Sequence, residues 1–64
     1  MILKNLLDKI ESGTRLCVLV NGEEFTITMS QSSYDYLEKY LTYKVSAISA
    51  GVNVINILCG NNLL

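Results

Sequence analysis

A chain of 64 residues, half of them hydrophobic, with no histidine and a formal net charge of −1, bounds one small domain. At this length only about 60% of the unfolded chain's surface is buried, so the core needs a supplement: a disulfide, a metal or association with another copy. The five Lys/Arg and six Asp/Glu form no run of either sign, which argues against a duplex nucleic-acid partner, and the longest apolar stretches fall well short of the roughly 18 residues of a membrane span.

In "ILKNLLDKIE" the residues Ile2, Leu3, Leu6, Leu7 and Ile10 recur at three- and four-residue spacing, with Lys4, Asp8 and Glu11 opposite. That spacing predicts an amphipathic helix of about three turns, closed by Gly13 in a left-handed conformation. From Thr14 the period changes. "TRLCVLV" is β-rich, and "FTITM" alternates Phe25, Ile27 and Met29 against Thr26 and Thr28. Between them, Asn21-Gly22 predicts a hairpin with a type I′ turn, because both residues accept positive φ. Next comes "SQSS", and Ser32 with Asp35 approximates a capping box for a second helix.

That helix covers "SSYDYLEKYLTYK", which holds all four tyrosines. At about 100° per residue, Leu37 and Leu41 form the buried stripe with Tyr34 beside them. Tyr36, Tyr40 and Tyr43 form a second stripe, with Lys39 adjacent, Asp35 close by and Lys44 at the end. Tyrosine offers large contact area at low entropic cost and keeps a hydroxyl for a polar partner. This flank is therefore the expected contact surface, formed by Tyr36, Tyr40, Tyr43, Lys39, Asp35 and Lys44. Its rings could also stack on bases, or fill the rim of the core with their hydroxyls in water.

"KVSAISA" and "VNVINILC" read as two more strands joined near Ala50-Gly51. The expected domain spans residues 1–60, leaving 61–64 as a tail whose Leu63 and Leu64 either fray or dock on a neighbouring copy. The resulting order, α-β-β-α-β-β, predicts an α+β domain with helices on one face of an antiparallel sheet.

Chemistry is sparse. Without histidine the commonest general base and metal ligand are gone. Two cysteines make no zinc site, and no phosphate-cradling glycine loop is present. No catalytic residue, metal or cofactor is expected. Cys17 and Cys59 sit in apolar runs that would raise their thiol pKa. With no signal peptide ahead of them, a reducing cytoplasm is expected, which leaves self-association as the supplement. Glu23 and Glu24 flank the turn but point to opposite faces. Asn53 and Asn56, three apart on a strand, also face opposite sides, and a buried amide would need a partner from a symmetry mate or a small ligand.

Leu3, Leu6, Leu7, Gly13-Thr14, Val45, Ile48, Ala50 and residues 55–58 are the positions at which the chain resembles small proteins of phages and prophages of Gram-positive bacteria. The resemblance implies a bacterial cytoplasmic setting and, for some proteins of this size, inhibition of a host defence protein or sequestration of a nucleotide signal. The sequence thus predicts a non-enzymatic homo-oligomer that binds a host protein. The alternative is a nucleotide-binding module with a pocket between subunits.

Overall fold

The computed structural model describes residues 1–62, with the side chains of residues 1–60. Helix α1 (Leu3–Leu7) is followed by strands β1 (Arg15–Val20) and β2 (Glu23–Thr28), helix α2 (Ser32–Tyr36), a 3-10 helix over Glu38–Tyr40, and strands β3 (Tyr43–Gly51) and β4 (Val54–Asn62). Leu63 and Leu64, on which the docking of the tail would fall, lie outside the described residues. The four strands form one sheet in the order β2-β1-β4-β3.

The sheet is mixed rather than antiparallel. β1 pairs antiparallel with β2 and β3 with β4, but β1 and β4 run parallel. The connection through α2 is the cause. It carries the chain back across the sheet, so β3 starts where β2 starts and runs the same way, and its hairpin partner β4 must then follow β1. The most apolar strands take the centre, as parallel pairs generally do. Leu16, Val18 and Val20 of β1 are aligned with Ile55, Ile57 and Cys59 of β4.

These side chains face the helices. Leu3 and Leu7 of α1, Met29 and Leu37 join Leu16, Val18, Val20, Ile57 and Cys59 in one buried cluster, and Leu6, Ile10, Phe25, Tyr34 and Leu41 pack around it. The other face of the sheet has no helix over it. Leu19 and Leu58 on that face are exposed, beside half-buried Cys17.

Both helices are shorter than their periodicity predicts. α1 stops at Leu7, and the N–H groups of Lys9 and Ile10 donate to the Leu6 and Leu7 carbonyls, a three-residue spacing that tightens the chain into a turn. Past that turn the backbone is claimed by the sheet. Gly13 N–H donates to the Met29 carbonyl at 2.8 Å, and Met29 N–H to Thr14 at 2.7 Å. The second helix breaks at Leu37, whose φ of −105° and ψ of 20° leave the helical region. Breaking there drives Leu37 fully into the core. The expected Ser32–Asp35 capping box does not form: the residue before α2 is Gln31, and no side chain caps the helix start. Ser33 Oγ instead accepts the Ser30 N–H at 3.0 Å and donates to the Thr28 carbonyl at 3.3 Å, while the Ser32 hydroxyl bonds that of Ser30.

The first hairpin turns at Asn21 (φ 53°) and Gly22 (φ 77°), as the type I′ reading requires. No atom would obstruct a Cβ at Gly22, so only backbone strain opposes a side chain there. Gly22→Ala is expected to cost about 1–2 kcal/mol, the left-handed penalty for an L-residue, as a lower urea midpoint at constant slope. The second hairpin turns two residues later than its sequence suggests, at Val52-Asn53, where Asn53 takes φ 59° and Gly51 stays in the strand paired with Val54.

Candidate functional site

Three aromatic contacts organise the tyrosine stretch, and Phe25 of β2 is at their centre. Phe25 lies on the helix-bearing face, opposite Val18. Its ring meets Tyr36 edge-on at 5.7 Å between centroids and Tyr40 at 5.6 Å, and Tyr40 meets Tyr43 edge-on at 5.2 Å. Such geometries are the favoured ones for aromatic pairs.

The hydroxyls are tied as well. Tyr40 donates to Glu23 Oε1 at 2.9 Å, and Asn21 Nδ2 donates to the Tyr43 hydroxyl at 3.2 Å. Both bonds fasten the segment after α2 to the first hairpin. Tyr34, on the opposite side of α2, donates to Asp8 Oδ1 at 2.7 Å, and Lys4 Nζ donates to the other oxygen of that carboxylate at 3.0 Å.

The tyrosine flank thus has an intramolecular use that helical spacing hid. Tyr40 and Tyr43 are half-buried and hydrogen-bonded within the chain, whereas Tyr36 remains 59% exposed. Asp35, Tyr36, Lys39 and Tyr40 come together around a depression of about 360 Å³, joined by Glu23, Phe25 and Glu38. Tyr43 and Lys44 are not part of its lining. Lys44 lies in β3, in a backbone bridge with Ile2. Helical spacing alone does not reveal Phe25 and Glu23, which lie on another element. The signal for Phe25 was its strand parity, which puts it on the face that the helix covers.

Glu23 and Glu24 do point to opposite faces of the sheet. Glu23 accepts the Tyr40 hydroxyl, while Glu24 Oε2 accepts the Cys17 thiol at 3.0 Å on the helix-free face. That hydrogen bond, ahead of desolvation, raises the Cys17 pKa, and burial raises that of Cys59. Both thiols are free, and both shifts disfavour the thiolate. Cys17, Leu19, Glu24, Ala47, Ser49, Asn56 and Leu58 surround a second depression of about 430 Å³ on that face. Asn56 is therefore on the helix-free face and Asn53 is in a turn, so within one subunit neither reaches the tyrosine rings.

Among the described residues no group of three or more Cys, Asp or Glu is placed to hold a metal, and no helix is long and apolar enough to cross a membrane. Comparison with family models, with curated proteins and with solved structures finds no match.

The hydroxyl–carboxylate bonds predict a pH window. The Tyr34 bond, then Lys4, lowers the Asp8 pKa, while Asp8 raises that of Tyr34 and Glu23 raises that of Tyr40. A lowered acid contributes stability above its unfolded pKa and loses it as pH falls through the folded value; a raised tyrosine contributes below its unfolded value and loses it as pH rises through the folded one. Denaturation midpoints are therefore expected to be flat across neutral pH, and to decline below about 4 and above about 10. In Tyr34→Phe the Asp8 shift should shrink to the part that Lys4 supplies, and the Tyr34 part of the alkaline decline should vanish.

Proposed function

We propose that this chain is a non-enzymatic, self-associating binding protein that acts by direct contact with another protein. The observation that carries this reading is Tyr36, a large ring left 59% exposed yet already oriented by its edge-on contact with Phe25. An aromatic ordered before binding loses little entropy on contact, which is the character of an interface hot spot. Glu23, Asp35 and Glu38 surround it against the single cation Lys39. The depression therefore suits a partner that brings a lysine or arginine side chain, held by the carboxylates and by the face of the Tyr36 ring. The acidic surround also supports protein over nucleic acid, whose phosphates it would repel.

The resemblance of the sequence to phage and prophage proteins supports a target among the proteins of a bacterial host, with inhibition of a defence system as the proposed outcome. Affinity purification of the tagged chain from host cells is expected to bring a second protein with it, and Tyr36→Ala is expected to lose that protein while keeping its circular dichroism. Equal recovery by both chains would remove Tyr36 from the contact.

A further inference from the structure

The outer edge of β3 differs from the other edge of the sheet, β2. Lys44 is the last charged residue of the sequence, so residues 45–64 hold no charged side chain. The N-terminus covers the start of this edge: Ile2 bridges to Lys44, and Val45 N–H donates to the Met1 carbonyl at 2.9 Å. From Ser46 to Gly51 every residue of β3 is exposed.

The hairpin determines which backbone groups point outward. Gly51 and Val54 close a two-residue turn as a hydrogen-bonded pair, and along an antiparallel ladder such pairs alternate with pairs whose N–H and C=O face away. Ser49 and Ala47, aligned with Asn56 and Leu58, bond inward. Ile48 and Ala50 consequently turn both backbone groups to the open edge. At the far margin β2 begins with Glu23 and Glu24, charges of the kind that keep an edge from pairing, and α2 packs beside it, with Ser33 bonded to the Thr28 carbonyl.

We propose that the β3 edge pairs antiparallel with the β3 edge of a second copy of this chain, about a two-fold axis at Ile48. This rests on the self-association in the functional reading above and names its surface. The covered residues at Val45 and the turn at Val52 confine pairing to residues 46–51. Outward groups must meet outward groups, so Ile48 opposes its own copy and Ala47 opposes Ser49, while Ser46, at a shift in register against β4, meets Ala50 through its carbonyl, which points away from the inward Ala47 N–H of the same peptide. Ile48 is 51% exposed in the single chain, on the helix-bearing face beside Ile57. On the axis it gains an apolar cross-strand neighbour, flanked by small side chains and with no charge to desolvate. A second copy satisfies the backbone groups and Ile48 together. The isologous contact consumes both unguarded edges and leaves only the β2 edges outward, so association stops at two.

Solution mass and amide exchange together test this. The intact chain is expected at twice its 7.1 kDa mass, with the Ile48 and Ala50 amides protected like those of the inner ladder. Ile48→Lys sets two ammonium groups against each other on the axis and is expected to give a monomer whose Ala50 amide exchanges fast. Should that variant fail to fold, Ala50→Pro removes an outward N–H that the β3–β4 ladder of the described residues does not use and is expected to give the same monomer. A wild-type monomer at every concentration, or a dimer with an unprotected Ala50 amide, overturns the proposal. Tyr36 lies beside β2, across the sheet, so Ile48→Lys should retain the host partner. Loss of that partner in Tyr36→Ala with the dimer intact concerns the functional reading alone.

Discussion

Leu37→Ala is expected to leave the chain largely unfolded at 25 °C. Leu37 is fully buried among Leu3, Leu7 and the central strands, and truncating a buried leucine costs about 2–5 kcal/mol once the cavity is counted. A core of this size rarely supplies more than about 3–5 kcal/mol, so one truncation consumes most of the margin. Leu41, which is only half-buried, provides the contrast. Leu41→Ala should lower the urea midpoint and still show a folded baseline. If Leu37→Ala kept a midpoint close to that of the unmodified chain, the helical break at Leu37 would not be what anchors α2 to the sheet.

Tyr36→Ala should have the opposite profile, with little effect on stability and a large one on contact. Its ring is mostly in solvent, and an exposed substitution away from the core usually changes stability by no more than about 0.5 kcal/mol. As the central aromatic of an interface it is expected to cost at least about 2 kcal/mol of binding, roughly 30-fold in affinity for the captured partner. Tyr40→Ala reverses the weighting. It removes the ring between Phe25 and Tyr43 and the bond to Glu23, so its denaturation midpoint should fall and its binding loss should follow from displacement of Phe25 and Tyr36. Measuring both quantities on both variants separates contact from support.

Local chemistry was legible in the sequence and long-range chemistry was not. Asn21-Gly22 announced its turn because positive φ is a property of those two residues alone. Residues 52–53 did not, because either Gly51 or Asn53 could take the left-handed position, and the pairing of Gly51 with Val54 decides it. The parallel pairing of β1 with β4 is set by the direction in which the connection through α2 returns the chain, which no residue pattern encodes.

The tyrosine flank was half legible for the same reason. Its spacing assumed one continuous helix, but the break at Leu37 and the 3-10 turn after it rotate Tyr40 onto Phe25. Phe25 lies in another element, so only the fold could bring them together. What survives of the flank is Tyr36 with Asp35 and Lys39, and what replaces the rest is an acidic surround contributed by β2 and the 3-10 helix.

Whether something foreign covers that surface can be measured without knowing the partner. A photocrosslinking aromatic residue in place of Lys39 stands at the rim of the depression, beside the ring whose contact matters and without removing it. Irradiated in host cells, this chain is expected to form an adduct whose peptides belong to a host protein, and the adduct should disappear when Tyr36→Ala is added. Adducts containing only peptides of the chain itself, or none at all, would contradict the account of a foreign contact at Tyr36.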